Sequence, residues 1–271
     1  MSDTDKRGFC LRPGLGCIVL VWILIATISL VLSYSIARST GHVSPFVPAI
    51  SDITSKNPEG AIFAELFNAT AVFTLVMMAI RYYQVKMINR QVEGGESSHL
   101  SQLNILSVVF GVGSALGASF VANFRSSEVN NSYSVMHIIG AALLFTSGAA
   151  YCWAQTFTTY QLAKFNVNDK SVFTARLAIS SILTLSTLLF LICGGLGYHD
   201  KTPDTVLIVG NLAEWLAAWC FGLFGLTFFK EFQNLSVKVQ CIPRCSGQNS
   251  DALKYSTIPV SGLDENITDS D

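Results

Sequence analysis

Six stretches of the chain run almost free of charge, at about 15–36, 61–80, 103–122, 135–157, 172–197 and 206–229. Within them the apolar positions are continuous rather than confined to one helical stripe or to alternate residues. At 1.5 Å per residue, about 20 residues cross the roughly 30 Å of a bilayer's hydrocarbon. In lipid only helices and closed barrels satisfy every backbone group, and barrel strands are about half this length. The pattern predicts an all-α membrane protein, a bundle of six transmembrane helices. A short polar tail (1–14) precedes a membrane domain over 15–240, and a polar segment rich in Gly, Ser, Asp and Asn (241–271) follows, with the composition of a disordered tail. The first apolar run is longer than a signal-peptide core and lacks a clean small-x-small cleavage site, so it reads as a retained helix.

Composition supports this. Of 271 residues, 51% are hydrophobic and 13% charged, whereas soluble domains carry about a quarter charged residues. Charge then orients the chain. Lys6, Arg7, Arg12, Arg81, Lys86, Arg90, Lys164, Lys170, Arg176, Lys230, Lys238, Arg244 and Lys254 fall on one side of the six spans, and only Arg38, Lys56, Arg125 and Lys201 on the other. The positive-inside rule places the first group, and both termini, in the cytosol. An even number of crossings requires the termini to share a side. The net charge of −1 and the lack of a basic stripe give no argument for nucleic acid.

The cysteines lie in predicted helices or in cytosolic segments, so no lumenal disulfide framework is expected. Cys241 and Cys245, just past the last helix, are candidates for S-palmitoylation. The sequon at Asn130 falls in a short lumenal loop and is the candidate glycosylation site. In the tail, Tyr255-Ser256-Thr257-Ile258 has the Tyr-x-x-bulky form that resembles the endosomal and lysosomal sorting signal read by clathrin adaptors. The chain contains no Walker loop, dinucleotide fingerprint, nucleophile elbow or metal motif, and no cofactor is expected.

Polar residues at membrane depth are functional candidates by default. Glu65 and Asn68 on the second helix, and Asn211 and Glu214 on the sixth, are each spaced i, i+3 and so share a helix face. With Asn123 and His137 they all fall in the lumenal half. Glu214 lies deepest, about 12 Å in from the predicted start of its helix at 1.5 Å per residue. Two readings follow: a lumen-facing polar cavity for a cation, proton or lipid head group, or interhelical hydrogen bonds that fix packing. Gly113-x3-Gly117, Cys193-Gly194-Gly195 and Gly222-x2-Gly225 form small-residue faces suited to close helix approach.

Between the first two spans stands GHVSPFVPAISD: Gly41, His42, Pro45, Phe46, Pro48, Ser51 and Asp52 in a loop without helical or strand periodicity. Its prolines preset the backbone and remove donors, which predicts a stiff loop held against the mouth of the bundle, where Asp52 and Glu59 could cap or neutralise. The order of these residues resembles the DNA-damage-regulated autophagy modulator (DRAM) family, within the wider Frag/DRAM/Sfk group. The resemblance continues with Asn68, Arg81-Tyr82, Val121-Ala122-Asn123-Phe124, His137 with Gly140-Ala141, Ala213-Glu214-Trp215, Phe228 and Glu231-Phe232-Gln233, over about residues 15–240. The chain departs from the family's pattern with Ala49 in place of Tyr, and with Glu65 where an apolar residue is expected. The resemblance implies a lysosomal or endosomal membrane protein that promotes autophagy without catalysis, with the bilayer and tail-binding adaptors or membrane proteins as partners. Members of the wider group imply two alternatives: a plasma-membrane scaffold for a phosphoinositide kinase, and a Golgi or ER protein of lipid remodelling or transport.

Overall fold

The computed structural model describes residues 14–44, 46–91, 97–126, 131–164, 170–196 and 203–235. Among the described residues the regular structure is all helical, with no strand. Six long helices cross the bundle: α1 (Gly16–Ser39), α3 (Glu59–Gln91), α4 (Ser98–Asn123), α5 (Asn131–Ala163), α6 (Lys170–Leu196) and α7 (Asp204–Leu226). Two short ones, α2 (Ile50–Ile53) and α8 (Phe229–Gln233), complete it. All six long helices are long and apolar enough to span a membrane. The chain is a multi-pass membrane protein, as the apolar pattern predicts.

Sequence neighbours pack side by side in the order α1, α3, α4, α5, α6, α7, and α7 returns to α1, so the helices close a ring. At one end, hereafter the terminal face, the Leu15 N–H donates to the carbonyls of Phe232 (3.0 Å) and Leu235 (3.2 Å). The two described ends of the chain therefore meet on the same side, as six crossings require. The opposite end, the loop face, carries residues 40–58.

Two apolar clusters hold the ring at different depths. Val19, Phe145, Leu183, Ala217, Phe224 and Phe228 pack from four helices in the half near the terminal face. Ile50, Phe63 and Val121 pack beneath the loop face. Large apolar side chains such as Leu24, Val109 and Leu185 instead point outward, where hydrocarbon rather than water is the solvent.

Helix α3 continues to Gln91, well past the end expected near 80. Its extension is polar, but Val85 packs with Leu100 and Leu162 in a third cluster. Asn89 clasps the start of α4 by donating to the Ser97 carbonyl and accepting from its N–H, both at 3.0 Å. A hydropathy pattern ends at the last apolar run, whereas these hydrogen bonds carry the helix on.

The glycines separate into two groups. A Cβ on Gly117 would stand 2.3 Å from the Leu144 nitrogen and 2.7 Å from the Gly140 carbonyl oxygen, so α4 and α5 meet backbone to backbone there. Gly225 gives its space to the Trp22 ring. Gly194 and Gly195 face open space instead, and at that end of α6 the close approach is made by Cys193, whose Cβ a methyl on Gly210 of α7 would meet at 2.9 Å.

Candidate functional site

The loop between α1 and α3 docks on α7 through three successive contacts. Asn211 Nδ2 donates to the Val47 carbonyl at 3.0 Å, Trp215 Nε1 donates to the Pro48 carbonyl at 2.9 Å, and Glu214 Oε2 accepts the Ile50 N–H at 2.9 Å. Residues 211, 214 and 215 lie on one face of the helix. That face meets a backbone whose groups have no helical partner, because Pro48 offers no N–H and the N–H of Ile50 stands free at the start of α2. Val47 is held at φ +34°, a costly value for a β-branched residue, with its carbonyl turned to Asn211. Pro48 and Ile50 are buried, while Phe46 and Gly41 are exposed.

The other side of the loop is tied to α3. His42 Nδ1 lies 2.5 Å from Glu59 Oε1, and Glu59 is fully buried in the first turn of its helix. Ser33 on α1 donates to the Glu59 carbonyl. Asp52 is exposed and, with Asp204 and Asn211, lines a pocket of about 510 Å³ at the loop face.

The polar residues expected to form one set are distributed over separate groups. Asn211 and Glu214 hold the loop. Asn68 and Asn123 pair amide to amide, each donating to the other at 3.1 Å, and Ser119 donates to Asn68 Oδ1 at 2.9 Å; this group joins α3 to α4. His137 Nδ1 donates to the Phe124 carbonyl at 2.7 Å, closing the α4–α5 turn. Glu65 is exposed and makes no hydrogen bond to another described residue, so the i, i+3 spacing does not join it to Asn68 in a shared contact. Pro45, Asn130, Cys241, Cys245, Tyr255 and Ile258 lie outside the described residues.

A second buried polar group sits at the terminal face. Glu231 Oε2 is 2.6 Å from Arg81 Nη1, and its Oε1 is 3.0 Å from Arg176 Nη2. Arg81 also donates to Gln155 (2.9 Å) and Gln84 (2.8 Å), and Arg176 to Thr227 (2.8 Å) and Thr159 (2.5 Å). Both guanidinium groups lie over the Phe228 ring, at 5.3 and 4.1 Å from its centroid. Charge counting assigns Arg81 and Arg176 to water-facing loops, but both are almost completely buried. Glu231, an acid among basic neighbours just past the last apolar run, was the available signal.

Between these two polar ends the ring encloses a cavity of about 320 Å³. Glu214, His137, Ser51 and Thr54 line its loop-face end, and Tyr151 and Phe228 the other. The wall between is mostly apolar, and three of its hydroxyls bond to protein: Thr70 to the Leu66 carbonyl, Ser114 to that of Leu144, and Thr74 to Thr70 while accepting from Trp22. Among the described residues no group of three or more His, Cys, Asp or Glu is placed to share a metal ion.

A model of the Frag1/DRAM/Sfk1/Cwh43P N-terminal domain matches residues 14–235. The chain belongs to this family. The match spans the whole ring, from the start of α1 to just past α8. Among family relatives, DNA damage-regulated autophagy modulator protein 2 of Mus musculus is 30% identical over 244 residues, covering 84% of this chain and 88% of its own. The human DNA damage-regulated autophagy modulator protein 1 is 27% identical, covering 85% and 96%. The Modulator of macroautophagy TMEM150B of Danio rerio is 28% identical, covering 77% and 82%. No solved structure matches the chain.

Proposed function

We propose that this member of the Frag1/DRAM/Sfk1 family is a non-enzymatic regulator of autophagy, resident in the lysosomal or endosomal membrane with both termini in the cytosol. The observation that carries the reading is that relatives named as autophagy modulators align over 84–85% of the chain; the family match over residues 14–235 includes the loop, the docking face of α7 and the Arg81–Glu231–Arg176 group. The distribution of Lys and Arg supports the orientation. The build of the polar groups supports a role without catalysis: each joins helix to helix or loop to helix. The tail, through Tyr255 and Ile258, recruits the sorting adaptors that deliver the protein.

The experiment is to measure autophagic flux in starved cells lacking the protein, and to image the tagged chain beside lysosomal and plasma-membrane markers with and without Tyr255→Ala. Reduced flux, with a lysosomal signal that moves to the surface in the variant, is the expected result. Normal flux in the null cells would overturn the regulatory role, and surface residence of the unaltered protein would turn the reading to a plasma-membrane scaffold.

A further inference from the structure

The cavity inside the ring has a chemistry that neither the autophagy reading nor packing uses. On α7 its lining runs from Glu214 to Leu226, about 18 Å at 1.5 Å per residue. A volume of about 320 Å³ drawn out over that length is a narrow slot, with the proportions of a single linear chain.

Its two ends are unlike. At the loop-face end Glu214 and His137 offer open acceptors, and the Ser51 hydroxyl beside them can donate or accept. Glu214, 6% exposed, spends Oε2 on Ile50, and its other oxygen takes no hydrogen bond from a described residue. His137 must donate from Nδ1, because the Phe124 carbonyl only accepts, which leaves Nε2 of the neutral ring as an acceptor. At the other end the cations of Arg81 and Arg176 are set behind the Phe228 ring and engaged by Glu231, Gln155 and Thr159. Acceptors at one end and an aromatic seal at the other select a ligand with a donor head and an apolar tail.

The route in is also visible. Trp219 and Leu223 line the cavity, yet both are about half exposed on the outer surface of the bundle. A Cβ on Gly222 would meet only Ile23 of α1, at 3.4 Å. The α1–α7 seam, where the ring closes, is closed by Trp22 at Gly225 but thinly filled at Gly222, and it faces hydrocarbon rather than water.

We infer that this cavity binds a single-chain membrane lipid that enters laterally between α1 and α7. Its hydroxyl or amine head donates to Glu214 and His137, and its chain lies along the slot toward Tyr151 and Phe228. Lipids with carboxylate or phosphate heads bind more weakly, because such heads are themselves acceptors that meet the Glu214 carboxyl and find only the Ser51 hydroxyl to donate to them.

The test uses the purified full-length protein and photoreactive, clickable forms of four single-chain lipids: sphingosine, monoacylglycerol, a fatty acid and lysophosphatidic acid. Mass spectrometry maps the labelled peptides. Sphingosine and monoacylglycerol are expected to label peptides containing cavity residues of α3 and α7, and to be displaced by excess unlabelled lipid of the same head. Their ratio separates an amine ligand from a hydroxyl one. Glu214→Gln keeps a carbonyl for the Ile50 N–H but turns an amide donor into the slot, and is expected to lower sphingosine labelling about tenfold, the equivalent of one lost charged hydrogen bond. Ala218→Phe fills the slot and is expected to abolish internal labelling; Ala26→Leu, on the facing helix, serves if the first variant does not yield monodisperse protein. Equal labelling by all four heads, label confined to outward-facing residues, or strongest labelling by the fatty acid or lysophosphatidic acid would each overturn the proposal.

Discussion

Arg81 on α3 and Glu231 on α8 form an ion pair at 2.6 Å across 150 positions of sequence. Arg176 on α6 shares the same carboxylate at 3.0 Å. One acid thus holds two buried cations, and with them three helices, where the chain ends meet.

Removing that acid exposes the imbalance. Glu231→Gln leaves two guanidinium groups buried without a counter-charge, and breaking a buried pair from one side costs about 3–5 kcal/mol. The variant is expected to melt far below the parent in detergent, as read by fluorescence-detected thermal unfolding. Arg176→Met, which removes one cation and keeps the Arg81 pair, is expected to be milder. Equal melting of parent and Glu231→Gln would show that the pair contributes no stability.

Glu214→Leu removes the acceptor of the Ile50 N–H while keeping an apolar contact. On α7 the loop is then held only by Asn211 and Trp215. Hydrogen exchange at the Ile50 amide is expected to accelerate about tenfold or more, from the loss of a hydrogen bond to a carboxyl group. Glu214→Gln is expected to retain most of the protection. Unchanged exchange in Glu214→Leu would mean that the loop docks without it.

His42→Ala deprives the fully buried Glu59 carboxyl of its partner. Because His42 is itself 27% exposed, water can replace part of the interaction, so the expected loss is about 2 kcal/mol. His42→Gln, which can still donate, is expected to recover much of it. Thermal unfolding of the three proteins side by side decides the point.

Gly117→Ala places a methyl group against the backbone of Leu144 and Gly140, which cannot rotate away. Overpacking of this kind costs about 1–3 kcal/mol or more. Gly222→Ala meets only the end of the Ile23 side chain, at 3.4 Å, and is expected to be nearly neutral. A similar drop in melting temperature for both would show that the α4–α5 contact is looser than described.

What sequence by itself determined was the membrane-crossing architecture. Six uncharged runs leave a backbone no option in lipid but to bond within its own helix, so helix number and approximate position follow from local composition. The motif order around Gly41–Asp52 and Ala213-Glu214-Trp215 likewise carried the family. Tertiary structure decided which polar groups meet. Glu214 finds Ile50 across 164 positions, and Arg176 is sealed inside the bundle instead of standing in a loop. Glu65 and Asn68, three residues apart, have different surroundings. Spacing along one helix tells which side chains share a face, but only the packing of the ring tells whether that face looks toward lipid, a neighbouring helix or the cavity, because hydrocarbon leaves an apolar surface equally well solvated on either side.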